Sequence, residues 1–235
     1  MMIRKSPFVQ VISARLLIRR MDQRLDLVSR LLSEIQSNAL DRIDAEMARR
    51  SIMDYASVDL SKFKFIDDDA AEALARSKSF FLRLSGLTSL NDAAAEALAQ
   101  HEGALSLSGL TSLSDGAAEA LSRHQGPLYL GGLTSLSDAA AEALSRQQGL
   151  RSLNGLTSLS DAAAEALSRH QGNRLILNGL TSLSDGAAEA LSRHQGNLLL
   201  NGLTSLSDAA ASFLAKKKGK ISDKPAAEWA SKFRR

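Results

Sequence analysis

One seven-residue phrase, Asp115-Gly116-Ala117-Ala118-Glu119-Ala120-Leu121, is written with small changes seven times along the chain. The leucine just ahead of it falls at Leu90, Leu113, Leu136, Leu159, Leu183 and Leu206, with a degenerate first copy at Ile66. The steps are therefore 24, 23, 23, 23, 24 and 23 residues. A period in the twenties that holds one short apolar strand and one short helix is the signature of a stacked solenoid. A helix of about ten residues is unstable alone in water, so every copy needs its neighbours and the core must run along the stack.

The copy from Ala104 to Gly126 shows how a unit is built. Leu105-Ser106-Leu107-Ser108 alternates apolar and polar residues, which predicts a short half-buried strand with both leucines inward. Gly109 lets the chain turn, and Leu110 and Leu113 point back to the core. Asp115 stands where a helix N-cap belongs. Ala117, Ala118 and Leu121 form the inward helical stripe, and Gly126 ends the unit. Strands stack about 4.8 Å apart and helices about 8–10 Å apart, so the strand side is the inside of an arc. Right-handed crossovers are the strong default. The fold class that follows is α/β: a right-handed solenoid with one short parallel strand and one short helix per repeat.

The spacing L-x-L-x-x-L-x-x-L followed by S-D-x-A-A-x-x-L resembles the leucine-rich repeat family, most closely its cysteine-containing subclass. Leu110 stands at that subclass's cysteine position and Ser114-Asp115 at its Thr-Asp. The resemblance covers roughly 58–219, and the near-identity of the copies is similar to that of bacterial tandem arrays. Two departures, Arg151 in place of a strand leucine and one extra residue within 173–178, predict local bulging.

A solenoid exposes core leucines at its ends and needs caps. After Gly219, residues 220–235 carry Pro225 at the start of a predicted helix, with Trp229 and Phe233 four apart on one face; with Ile221 they read as a lid. Residues 1–57 form a helical region. There Val11, Ala14, Ile18, Met21, Leu25, Val28, Leu32, Ile35 and Ala39 alternate steps of three and four, an apolar seam over four heptads. A second helix is predicted from about Asp41 to Asp54. The seam either caps the first repeat of a monomer, the reading favoured slightly because Leu17 and Leu31 broaden it, or acts as an assembly element binding another helix.

The net charge of +3 is uneven. Residues 1–30 carry +5 and residues 215–235 carry +6, which leaves −8 on the body between them. The basic termini allow contact with nucleic acid or an anionic membrane surface, although no aromatic residues are interleaved with the N-terminal cations. There is no cysteine, so disulfides and thiolate chemistry are excluded. No run of 18 or more apolar residues is present. These features suit a cytoplasmic protein.

Nothing in the pattern predicts an enzyme, a cofactor or a metal. His101, His124, His170 and His194 share one repeat position, interrupted by Gln147, and read as copied surface residues near helix C-termini. Glu119 and Arg123, four apart, recur as Glu72/Arg76, Glu142/Arg146, Glu165/Arg169 and Glu189/Arg193 and predict pairs within each helix. The recurring threonines from Thr88 to Thr204 read as turn formers.

Variation concentrates on strand positions that face away from the core: Arg83, Ser106, Tyr129, Ser152, Ile176 and Leu199. Two residues further on stand Ser85, Ser108, Gly131, Asn154, Asn178 and Asn201. The resemblance implies that this face binds a protein partner, and Arg83, Tyr129, Asn154, Ile176, Asn178, Leu199 and Asn201 are its candidate contacts. The other readings are that these positions drift without binding anything, or lie under the C-terminal tail.

Overall fold

The computed structural model describes residues 41–53 and 58–233, together with Val28. From Arg42 onward the chain forms one compact unit in which strand and helix alternate. The helices are α1 (Ala45–Met53), α2 (Asp68–Ala75), α3 (Asp92–Leu98), α4 (Asp115–Leu121), α5 (Asp138–Ser145), α6 (Asp161–Ser168), α7 (Asp185–Ser192), α8 (Asp208–Ala215) and α9 (Ala226–Ser231), and each packs on the next. Opposite them, β1 (Arg42–Ile43) and β2 (Phe65–Ile66) form a first parallel pair. Next come β3 (Phe81–Arg83), β4 (Ala104–Ser106), β5 (Leu128–Tyr129) and β6 (Leu150–Ser152), paired in parallel. A further ladder holds β7 (Arg174–Ile176), β8 (Asn197–Leu199) and β9 (Lys220–Ile221) in parallel, closed by antiparallel β10 (Lys224–Pro225). This is the repeat solenoid that the period predicts.

The core is a column of leucine between two layers. Leu82, Leu105, Leu128 and Leu150 are consecutive register partners, and all are buried. Leu107, Leu130 and Leu153 stack beside them with no exposed surface. Ala117, Ala118 and Leu121 and their equivalents complete the column from the helix side. Alanine keeps neighbouring helices close, which suits a helix layer that must keep step with strands.

The extra residues act where the pattern breaks. Leu128 pairs with Leu150 and Tyr129 with Ser152, so Leu150 takes the core position and Arg151 bulges outward. Arg151 therefore does not replace a strand leucine; it is looped out beside one. The two ladders part between β6 and β7, where the extra residue of 173–178 falls, although Leu153 N–H still donates to Ile176 O at 3.0 Å.

Polar side chains join one copy to the next, and several do so differently from the sequence expectation. The helix N-cap is Ser114, not Asp115: its hydroxyl accepts from Ala117 N–H at 3.0 Å, and Asp115 is the first helical residue. Asp115 instead accepts from Ser137 Oγ of the following copy. The same link recurs as Ser160 to Asp138, Ser184 to Asp161 and Ser207 to Asp185. On the turn, Thr134 donates through both N–H and Oγ1 to Thr111 O, at 3.0 and 3.1 Å, and Thr204 repeats this to Thr181 O. The Glu–Arg pairs mostly cross between copies as well. Arg146 meets Glu119, Arg169 meets Glu142 and Arg193 meets Glu165, while pairing within a helix survives at Glu72/Arg76 and Glu189/Arg193. An arginine at that position reaches the preceding helix's glutamate as readily as its own. These pairs are half exposed, so each contributes little.

At the N-terminal end the predicted helix of about 41–54 begins later, at Ala45, because Arg42–Ile43 forms β1. That strand pairs with β2, and α1 packs on α2. In the first copy a 3-10 turn, Leu60–Lys62, stands at the turn that follows the strand in later copies, since Ser61 O lies against Gly86 as Ser85 O lies against Gly109. At the other end Trp229 and Ile221 are buried, and the Trp229 and Phe233 rings lie 5.1 Å apart over the last helix pair. Trp229→Ala removes a buried ring and is expected to cost about 3–5 kcal/mol. Hydrogen exchange should accelerate first in 197–219, the copy beneath it.

The glycine after each strand sets how closely copies approach. A Cβ on Gly86, Gly109, Gly132, Gly155, Gly179 or Gly202 would meet a carbonyl oxygen of the preceding copy closer than 3.0 Å. Gly126, expected as a helix breaker, does the same against Gly103 O; α4 has already ended at Leu121. Gly132→Ala is expected to destabilise by about 1–3 kcal/mol or more, because backbone must move. Its neighbour Gly131, whose added Cβ meets nothing nearer than the Ser152 hydroxyl at 3.2 Å, should accept alanine with little change. Denaturant midpoints of the two variants check this.

Candidate binding face

Because side chains alternate along a strand, the residues between the core leucines line one continuous face. Its N-terminal half is aromatic. The Tyr129 ring reaches across β4 to within 5.7 Å of the Phe81 ring, and the Arg83 guanidinium sits 5.4 Å over Phe81. Ser106, on the strand between them, is buried beneath this bridge. Phe80, next along, is 87% exposed. That ring is left in water just ahead of β3, outside the strand pattern from which the face is read.

The C-terminal half is aliphatic and polar. Ile176 and Leu199 are register partners on adjacent strands, both half-buried. Beyond β9 the described residues place β10 beside β9 in the ladder and α9 against α8. The asparagines of the next column behave differently from the other candidate contacts. Asn154 Oδ1 accepts from Asn178 N–H at 3.4 Å, and Asn178 Oδ1 from Asn201 N–H at 3.0 Å. Asn154 and Asn178 thus satisfy backbone donors of the following copy. Asn201, last in the column, is exposed. The backbone N–H of Leu200 donates to Ser222 Oγ at 3.1 Å, and Ser222 and Asp223 hold left-handed backbone conformations that turn the chain into β10.

The structure brings Arg83 and Tyr129 together at one end of the face and Ile176, Asn178, Leu199 and Asn201 at the other, with Asn154 between. Of the seam residues, Ile18, Met21, Leu25, Leu32 and Ile35 lie outside the described residues; Val28 is helical and half exposed. Compared with known proteins, the chain matches no family model and no curated relative.

The histidines are not on the surface. His101, His124, His170 and His194 are each 1–2% exposed, in a row with Ser77, Gln147 and Lys217. The position lies where a helix ends and its last carbonyls lack partners. From Gln147 onward the side chain at this position reaches back to carbonyls of the preceding copy, whereas the ring nitrogens of His101 and His124 have no hydrogen-bond partner among the described residues. Gln147 Nε2 donates to His124 O and Gly126 O at 2.9 and 3.0 Å. Lys217 Nζ donates to His194 O and Gly196 O at 2.7 and 2.6 Å. His170 Nδ1 lies 3.4 Å from Ser145 O and His194 Nδ1 3.3 Å from Ser168 O. A carbonyl can only accept, so Nδ1 carries the proton of a neutral ring. The His170 and His194 rings stack at 6.3 Å. The legible signal was that every copy places a hydrogen-bond donor here; placing it on the surface ignored the unsatisfied carbonyls.

Burial holds all four imidazoles below their ordinary pKa, His194 down to about 4. The neutral row stabilises the fold fully above about pH 6.5, the unfolded value. As pH falls below that, the unfolded chain takes up protons first and stability drops, by about 1.4 kcal/mol per pH unit for each ring still held neutral. Unfolding midpoints measured from pH 7 to 5.5 should fall steeply. Replacing the four histidines with glutamine, which the chain already uses at 147, should flatten that slope; an unchanged slope would contradict the neutral row.

Proposed function

We propose that this chain is a non-enzymatic leucine-rich-repeat module that binds a protein partner on its strand face, as a monomer in the cytoplasm. The observation that carries this reading is a division of labour among repeat positions. Nearly every constant position joins one copy to the next, through the leucine core, the glycine contact, the Ser–Asp link or the threonine ladder. The outward positions vary, and Ile176, Leu199 and Tyr129 hold apolar surface partly in water. Apolar surface kept beside polar residues on a rigid scaffold suits recognition of another protein. The absence of catalysis in this reading follows from where the imidazoles are. All four are buried, and His170 and His194 also reach carbonyls of the preceding copy, so none stands at a surface as a general base.

The test is capture of partners from native lysate on immobilised protein. Tyr129→Ala, Ile176→Ser and Leu199→Ser combined should abolish capture and leave the melting temperature within a few degrees of the parent. Capture that survives these changes but is lost in Leu25→Glu with Leu32→Glu would instead assign binding to the N-terminal seam and make the array a spacer.

A further inference from the structure

The strand face is cationic where the helix face carries an excess of acids. Outward positions at the start of successive strands are Phe81, Ala104 and Pro127 in the N-terminal half and Arg174, Asn197 and Lys220 in the C-terminal half, with the bulged Arg151 of β6 beside them. Arg151 is on the face because the bulge at Leu128/Tyr129 turns it out of the core register. Arg174 opens β7 and Lys220 opens β9, on the same ladder, and all three cationic side chains are exposed. Among the described residues only Arg174 of these three has a carboxylate near, Asp223 at 3.9 Å, beyond hydrogen-bond distance. On the helix layer the comparable arginines are matched by glutamates of the preceding copy. From Phe81 to Lys220, no outward strand position is acidic.

We infer that the C-terminal half of the strand face recognises an extended acidic peptide carrying aliphatic side chains. This rests on the strand-face reading above and specifies the partner's chemistry. Arg151, Arg174 and Lys220 span three strand steps, about 14 Å at 4.8 Å each. An extended segment covers that length in about four to five residues, at roughly 3.3 Å per residue. Carboxylates on one side of such a segment meet the three cations. Apolar side chains on the same segment reach the strip made by Ile176 and Leu199, which runs parallel to the cations further along each strand. The pairing of aliphatic strip and cations favours a peptide over a nucleic acid, whose bases would need aromatic platforms; the rings of this face are at its other end.

The probe is a fluorescein-labelled peptide of alternating glutamate and leucine, measured by anisotropy against the full-length protein. Two further probes are the same peptide with glutamine for glutamate, and a ten-nucleotide oligouridylate. Specific binding of the acidic peptide is expected, weakened at least about tenfold by Arg151→Glu, Arg174→Glu and Lys220→Glu together and also by Ile176→Ser with Leu199→Ser. Weakening by added salt is expected too. Exposed positions make the charge variant safe to fold, and an unchanged circular dichroism spectrum confirms it. Equal binding of the glutamine peptide, or tighter binding of oligouridylate, overturns the proposal. So does failure of the acidic peptide to bind. If the peptide binds but responds to Tyr129→Ala and not to the charge or aliphatic variants, the acidic subsite is wrong while the strand-face reading stands. If no strand-face variant changes binding, both fail.

Discussion

The structure depends on how closely one copy can approach the next. At Gly109 and its equivalents the preceding copy's carbonyl occupies the space where any side chain would begin. That approach lets a strand of two or three residues pair along its whole length, brings Thr134 within reach of Thr111 O, and stacks Leu105 on Leu128. A strand so short, or a helix of seven or eight residues, has no stability of its own. Repeated at one spacing, they share a core that no single copy could enclose.

Helix ends present the same problem on the other layer, and the chain solves it in two places. At the N-termini of α4 to α8 a serine caps its own helix and also donates to the aspartate of the preceding copy, and Asn91 does both at α3. At the C-termini of α4 to α7 a buried side chain from the next copy, Gln147, His170, His194 or Lys217, takes up loose carbonyls. Histidine, glutamine and lysine all fill this role because each carries an N–H at a suitable reach. The position is thus constrained by hydrogen bonding rather than by charge, and where lysine fills it, three carbonyl oxygens surround the ammonium. Every joint of this kind runs between copies, which leaves the strand face free to vary.

Much of this was legible in the sequence because it repeats. Period, inward leucines, alanine stripe and aromatic lid all follow from spacing. What repetition hides is which copy a side chain serves. Asp115 looks like its own helix's cap, and Arg123 like its own glutamate's partner, since in a stack the neighbour's equivalent residue stands one helix away. The histidines show the same limit: a polar residue at a helix end reads as solvent-facing unless the next copy's packing is considered. Of the candidate contacts, Tyr129, Ile176 and Leu199 stand on the face as read, whereas Asn154 and Asn178 also serve the backbone. The Phe81–Tyr129 ring pair and the cations on the opposite half emerge only when strands are laid side by side, because their members stand on different copies.

Each copy is held only by its neighbours, through joints of one fixed phase. Deleting residues 115–137 removes one period and joins Ser114 to Asp138, restoring the Ser-Asp junction of the pattern. Thermal unfolding followed by circular dichroism tests the claim directly. The shortened chain should keep the parent's spectrum per residue and unfold cooperatively at a slightly lower temperature, whereas an out-of-phase deletion of 115–131 should be far less stable. An in-phase deletion that leaves the chain unfolded, or two deletions that behave alike, would contradict it.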